Sequence, residues 1–259
     1  MIGAIIGDII GSTYEFHNTR DYGFQLFPNG STFTDDTICT IAIADAILRG
    51  IPYRDSLIEW GRRYCKRQAM FGAAFSAWLN SDNPQPYDSF GNGSAMRVSP
   101  IGWAFNSPDI VISEAKESAM CSHSHSEGIK GAQAISLAIY WLRHVKPDNH
   151  LTAKAVAKNV LTDYYGDGFF DNLPKYGEWN TSCQGCVPLA LYLFSLSADF
   201  EDAIRLAVSY GGDSDTLAAI VGSLAGAFYK IPSAIQGKAL SYLPVEIIEV
   251  IGRFEQKYK

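Results

Sequence analysis

Apolar residues recur along this chain at the three- and four-residue spacing of amphipathic helices, and nowhere alternate with polar ones for more than a few residues. The pattern predicts an all-α chain. A first helix over 3–16 places a small residue at every fourth position, at Gly3, Gly7 and Gly11. Glycine weakens an isolated helix, but at this spacing it lets a neighbouring helix approach closely. Within that apolar run Asp8 needs a partner for its carboxylate. Glu15 falls at the expected C-terminal end, where the helix dipole disfavours an anion, so it is either solvated or held for a purpose. A second helix carries Ile38, Ile41, Ala42, Ala46 and Leu48 and ends at Gly50, and Pro52 opens a third through about Gln68. Further helices are expected over 108–121, 127–144, 151–164, 186–197, 199–209, 215–229, 233–240 and 244–257.

The intervening loops are 17–33, 80–93 and 166–184, each punctuated by glycine or proline. The last holds Phe169, Phe170, Tyr176 and Trp179. Such rings suit a lid or ligand wall, or equally a loop pinned to the core. With no repeat, linker or low-complexity tract, residues 1–259 read as one domain.

Composition narrows the function. Of the 259 residues 47% are apolar, enough for one sizeable core, and 19% are charged. A net charge of −6 argues against general affinity for nucleic acid or anionic membrane and suits a protein that holds cations. The basic run Arg62-Arg63-Tyr64-Cys65-Lys66-Arg67 reads as a solvated helix face. Five cysteines without framework spacing indicate a reducing compartment, and the lone pair Cys183 and Cys186 reads as two unlinked thiols in a turn before a helix. The N-terminus lacks a basic leader, and the longest uncharged apolar run, 216–229, is too short to span a bilayer. A cytoplasmic protein is expected.

The chemistry concentrates in two stretches, Phe33-Thr34-Asp35-Asp36-Thr37 and Gly211-Gly212-Asp213-Ser214-Asp215-Thr216. Each sets two aspartates and a threonine at the start of an apolar helical pattern. Capping explains one such cluster, since Asp and Thr are good N-caps. It does not easily explain two, because adjacent aspartates repel and a cap needs one oxygen. If the clusters meet, at least four carboxylates share a small volume, and hard divalent cations would neutralise them. Gly91-Asn92-Gly93 before a helix offers backbone N–H groups to a phosphate, although such turns are common. His123 and His125, two apart in a loop, do not suit an oxygen-ligated cation, so His123 reads as a hydrogen-bonding residue.

Five segments together resemble the ADP-ribosylglycohydrolase family: Gly-Asp-Ile-Ile-Gly-Ser-Thr-Tyr-Glu at 7–15, Phe-Thr-Asp-Asp-Thr at 33–37, Gly-Asn-Gly-Ser-Ala-Met-Arg at 91–97, Ser-His at 122–123 with Gly-Ala at 131–132, and Gly-Gly-Asp-Ser-Asp-Thr at 211–216. They occur in the family's order and cover Gly3 to about Ile231. The resemblance implies a compact orthogonal bundle of helices. It implies a pair of magnesium or manganese ions held by Thr34, Asp35, Asp36, Asp213, Asp215 and Thr216. It implies Glu15 beside the metals as an acid–base group, with Asp36 and Asp215 as catalytic ligands. Ser89, Phe90, Gly91, Asn92, Gly93 and His123 would contact ADP-ribose, with Phe90 the candidate to stack on adenine. The implied reaction is hydrolysis at C1 of the distal ribose of an ADP-ribosylated protein or small-molecule conjugate. Five carboxylates against two divalent ions would leave the site near −1. An ADP-ribose-binding sensor with little turnover is the alternative, and the sequence names neither the linkage nor an oligomeric state.

Overall fold

The structure, a computed structural model, describes residues 1–65 and 71–258. It is all-α, as the apolar spacing predicts. The helices are α1 (Ile2–Gly11), α2 (Asp35–Arg49), α3 (Tyr53–Tyr64), α4 (Ala73–Asn80), α5 (Gly93–Met96), α6 (Ser99–Ala104), α7 (Pro108–Met120), α8 (Ser126–Leu142), α9 (His150–Tyr165), α10 (Cys183–Leu196), α11 (Phe200–Tyr210), α12 (Ser214–Phe228), α13 (Ser233–Leu240) and α14 (Val245–Tyr258). Among the described residues only an isolated bridge, Gly91 to Ser182, has β character. The expected end of α3 near Gln68, and Lys66 and Arg67 of the basic run, lie outside the described residues. No helix of the described residues is long and apolar enough to cross a membrane.

The core is built around α12. Its sequence is apolar on every side, so it must be enclosed, and α1, α8, α10 and α11 surround it. All ten residues of α1 are buried too. The glycine stripe sets this contact. Gly3 faces Gly222, a Cβ on Gly7 would overlap the Ala218 carbonyl, and a Cβ on Gly11 would lie 2.5 Å from Asp215 Cα. The two helices run antiparallel with backbones in contact. The N-terminus of α12 therefore lies against the C-terminus of α1, and this juxtaposition assembles the site.

Helix α1 ends at Gly11, short of the expected residue 16, because Gly11 is where the Ser214–Asp215 backbone meets it. Beyond it Tyr14 N–H closes a turn on Gly11 O, and Asn18 Nδ2 donates to Tyr14 O at 2.7 Å and to Glu15 O at 3.0 Å. Glu15 thus stands past the helix, and its neighbours on the α12 side decide its setting. The other predicted helices agree to within a few residues. Helices α4, α5 and α6, of eight, four and six residues, are too short to show periodicity in sequence. Cys183 and Cys186 are free and buried in the first turn of α10, not in a turn before it.

Candidate active site

Both acidic clusters sit at helix N-termini, as their sequence context predicts. Thr34 is the N-cap of α2, its Oγ1 accepting from Asp36 N–H, and Asp213 is the N-cap position of α12. They meet. Thr216 Oγ1 donates to Asp36 Oδ2 at 3.1 Å across the two clusters. Carboxylate oxygens of Asp8, Asp36 and Asp215 lie within 4.8 Å of one another, and so do those of Glu15, Asp213 and Asp215. Asp215 belongs to both groups and joins them. Asp35 belongs to neither, but it lines the cavity above them with Glu15, Asp213, Asp215 and Thr216.

Asp8 is the residue the clusters alone did not reveal, though its place in an apolar helix demanded a partner. Its carboxylate accepts from Thr34 N–H at 3.0 Å, Thr34 Oγ1 at 2.7 Å, Thr37 N–H at 3.1 Å and Thr37 Oγ1. It clamps the first turn of α2 to α1. It also makes a sixth carboxylate where the sequence counted five.

So much buried negative charge raises the carboxylate pKa values. Burial pushes Asp8 to about 6 against the four hydrogen bonds that oppose it. Burial and then the charges of Asp213 and Asp8 take Glu15 to about 7. Burial drives Asp35, Asp36 and Asp215 well above the usual range, helped by the charge of Asp8 on the first two and of Asp36 on the third, and Asp213 is raised by burial. Asp36 Oδ1 is buried with no partner among the described residues. Oxygen donors from two helix ends, mutually repelling and partly unsatisfied, suit one or more hard divalent cations.

Above this floor opens a cavity of about 370 Å³. Ser89, Gly91, Asn92 and Gly93 form one wall and His123 stands behind them. Asn92 Nδ2 donates to Asp213 Oδ2 at 2.6 Å, tying the glycine-rich loop to the acidic floor. A Cβ on Gly93 would lie 2.9 Å from His123 Nε2, so the loop closes over the imidazole only because residue 93 has no side chain. Burial, then the Arg97 charge, lowers the His123 pKa well below its usual value. His125 plays another part, its Nδ1 accepting from Glu127 N–H to cap α8.

Phe90 does not line the cavity; its ring is half-exposed and stands edge-on to His125 at 5.5 Å. Tyr87 and Phe75 line the cavity instead. The aromatic loop divides between its two readings. Phe169 and Phe170 pack on Tyr192, and Tyr176 stacks on Tyr210 at 4.5 Å. Trp179 alone walls the cavity, stacked on the exposed Phe16 beside Glu15 at 5.6 Å.

Known proteins resemble this chain in sequence and fold. The sequence model of the ADP-ribosylglycohydrolase family matches residues 1–256. ADP-ribosylhydrolase ARH3 of Homo sapiens is 24% identical over 332 aligned positions, covering 96% of this chain and 90% of that protein. An uncharacterized protein of Archaeoglobus fulgidus is 28% identical over 88% of this chain and 85% of its own length. A putative ADP-ribosyl glycohydrolase of Acanthamoeba polyphaga mimivirus is 25% identical over 90% of this chain and 87% of its own. Among solved structures, one described as an ADP-ribosylglycohydrolase-related protein complex superposes with a TM-score of 0.72 at 24% identity, over 99% of this chain and 96% of that one, and so shares its fold. A family match from end to end, on a fold that brings the two acidic clusters together, places the chain in the ADP-ribosylglycohydrolase family.

Proposed function

We propose that the protein is a hydrolase that releases ADP-ribose from a modified protein side chain or small acceptor, cleaving the N- or O-glycosidic bond at C1 of the distal ribose. The observation that carries this reading is the junction of acidic floor and glycine-rich wall, closed by the Asn92–Asp213 hydrogen bond of 2.6 Å. One end of the cavity suits cations and the other suits a diphosphate. The family relationship supports it, and ARH3 of Homo sapiens is named for that kind of reaction. In this reading the described chain works as one domain, and its free cysteines suit the cytoplasm.

The residues that would hold two magnesium or manganese ions are Thr34, Asp35, Asp36, Asp213, Asp215 and Thr216. The orphaned Asp36 Oδ1 fits that role. Thr34 Oγ1 directs its proton to Asp8 at 2.7 Å, which leaves a lone pair turned away from that carboxylate. When bound, the cations supply counter-charge, hold ribose hydroxyls and lower the pKa of water. The chain supplies the rest. Bond cleavage builds positive, oxocarbenium-like charge at C1, which the anionic floor favours. Glu15 lines the cavity beside the acidic floor, where it would hold or release a proton in the reaction. Gly91 N–H donates to Ser89 Oγ and Asn92 N–H to Thr181 O, so Gly93 N–H, which has no partner among the described residues, would meet the diphosphate. Trp179, which lines the cavity with Glu15 and carries Phe16 stacked on it, would border the leaving group. Asp36→Ala and Asp215→Ala should each abolish cation-dependent ADP-ribose release while the melting transition stays cooperative; full activity in either variant refutes the assignment.

A further inference from the structure

Arg97 is fully buried at the end of the glycine-rich segment and lines the cavity, yet it forms no ion pair among the described residues. Its guanidinium donates from one nitrogen to Ser118 O at 2.6 Å and to Ser122 Oγ at 3.1 Å, and its Nε has no partner. A buried cation without a counter-ion is costly unless an anion arrives. Ser122 is also fully buried, and its Oγ lies 2.8 Å from His123 Nδ1. Arginine can only donate, so the serine oxygen accepts from it. The single serine proton then has one acceptor within reach, the imidazole Nδ1. If Nδ1 carried a proton instead, the buried serine O–H would have nowhere to go, at a cost larger than the bond itself. The ring proton therefore sits on Nε2. Nε2 takes no protein partner among the described residues and lies beside Gly91 and Gly93, where their Cβ atoms would be 3.5 and 2.9 Å away.

We infer that Arg97 and Ser122 are positioning residues that lock His123 as an Nε2–H donor aimed at a phosphate oxygen of the bound ligand. The relay runs one way, from guanidinium to serine to imidazole to anion, and Arg97 adds a fixed positive charge beneath it. The chemistry it recognises is a phosphoryl or diphosphoryl oxygen. Naming ADP-ribose as its source rests on the hydrolase reading; free diphosphate presents the same atoms.

The test uses the intact chain and Ser122→Ala, which removes the relay and only one atom. Imidazole nitrogen NMR reads the His123 tautomer, and calorimetry reads affinity for ADP-ribose, inorganic diphosphate and adenosine. The relay predicts Nε2–H in the wild type and a mixture of tautomers in Ser122→Ala. It predicts a loss of ADP-ribose affinity set by the fraction of the wrong tautomer, about twofold for an even mixture, with adenosine affinity unchanged. A merely structural role would weaken both ligands alike. Nδ1–H in the wild type, or equal losses for ADP-ribose and adenosine, overturns the inference. Diphosphate binding that shows the same loss, without ADP-ribose binding, upholds the relay and refutes the hydrolase reading. Wild-type protein that binds neither overturns both.

Discussion

Replacing Asp36 by asparagine should stabilise the cation-free protein. Asp36 is almost completely buried, with carboxylates of Asp8 and Asp215 within 4.8 Å. Two unit charges at that distance repel by about 3.5 kcal/mol at an effective dielectric of 20. Proton uptake by the cluster keeps the total near that of a single pair. Losing an anion from the first turn of α2 gives back up to about 1 kcal/mol. Asparagine still accepts from Thr216 Oγ1. The net gain is about 2.5 kcal/mol, which for 259 residues raises the melting temperature by about 4–5 °C. The sign with pH follows from raised folded pKa values. The folded chain keeps protons that the unfolded chain releases, so these groups stabilise fully below their unfolded values, 3.8 for Asp8 and 4.5 for Glu15. That stabilisation is lost as pH rises toward about 6 for Asp8 and about 7 for Glu15. The Asp36 carboxyl is likewise held well above its ordinary value by burial and by Asp8, so the advantage of Asp36→Asn should be absent at pH 4 and grow as pH rises. Calorimetry in EDTA and in excess manganese reads both effects. Manganese should stabilise the wild type and leave the variant nearly unchanged. A variant that melts lower than wild type in EDTA at pH 7.5, or gains as much from manganese, would refute the reasoning.

Glu15→Gln should bind ADP-ribose yet turn over 10²–10⁴-fold more slowly, the range for a lost acid–base group; an unchanged single-turnover rate would remove Glu15 from the chemistry. Gly7→Ala pushes a methyl group into the Ala218 carbonyl. It should cost about 3 kcal/mol by denaturant titration, at the upper end for overpacking, because backbone must move. Gly93→Ala places a methyl 2.9 Å from His123 Nε2; ADP-ribose affinity should fall at least tenfold, as isothermal titration would show.

The parts of this molecule that were legible in sequence are those whose signal is local. A glycine at every fourth position of α1 announces close helix packing, and the structure meets it with the backbone of α12. Two Asp-rich N-termini announce themselves one at a time; that they meet is a tertiary fact which the paired pattern only suggested. Asp8 was half legible, since an apolar helix signals a need for a partner without saying that Thr34 and Thr37 supply it. The end of α1 was misplaced because the crossing of α12, not any residue within 12–16, stops the helix. Asn18 was invisible in the same way. It takes Gly212 N–H at 2.7 Å and gives a hydrogen bond to Gly212 O at 3.0 Å, bridging loops from opposite ends of the chain. Phe90, next to the glycine-rich turn, is half-exposed outside the cavity, and Tyr87 lines it, a division between neighbouring rings that spacing does not show. The link from Arg97 to His123 passes through a serine whose neighbours cannot be read from spacing.

The most direct measurement is release of free ADP-ribose by the wild-type chain from arginine-linked and serine-linked peptides and from O-acetyl-ADP-ribose, each with magnesium, with manganese and with EDTA. The account predicts release from at least one linkage that either cation supports and EDTA abolishes. Release that EDTA leaves untouched would contradict the role given to the acidic floor, and ADP-ribose binding without release from any linkage would contradict the hydrolase itself.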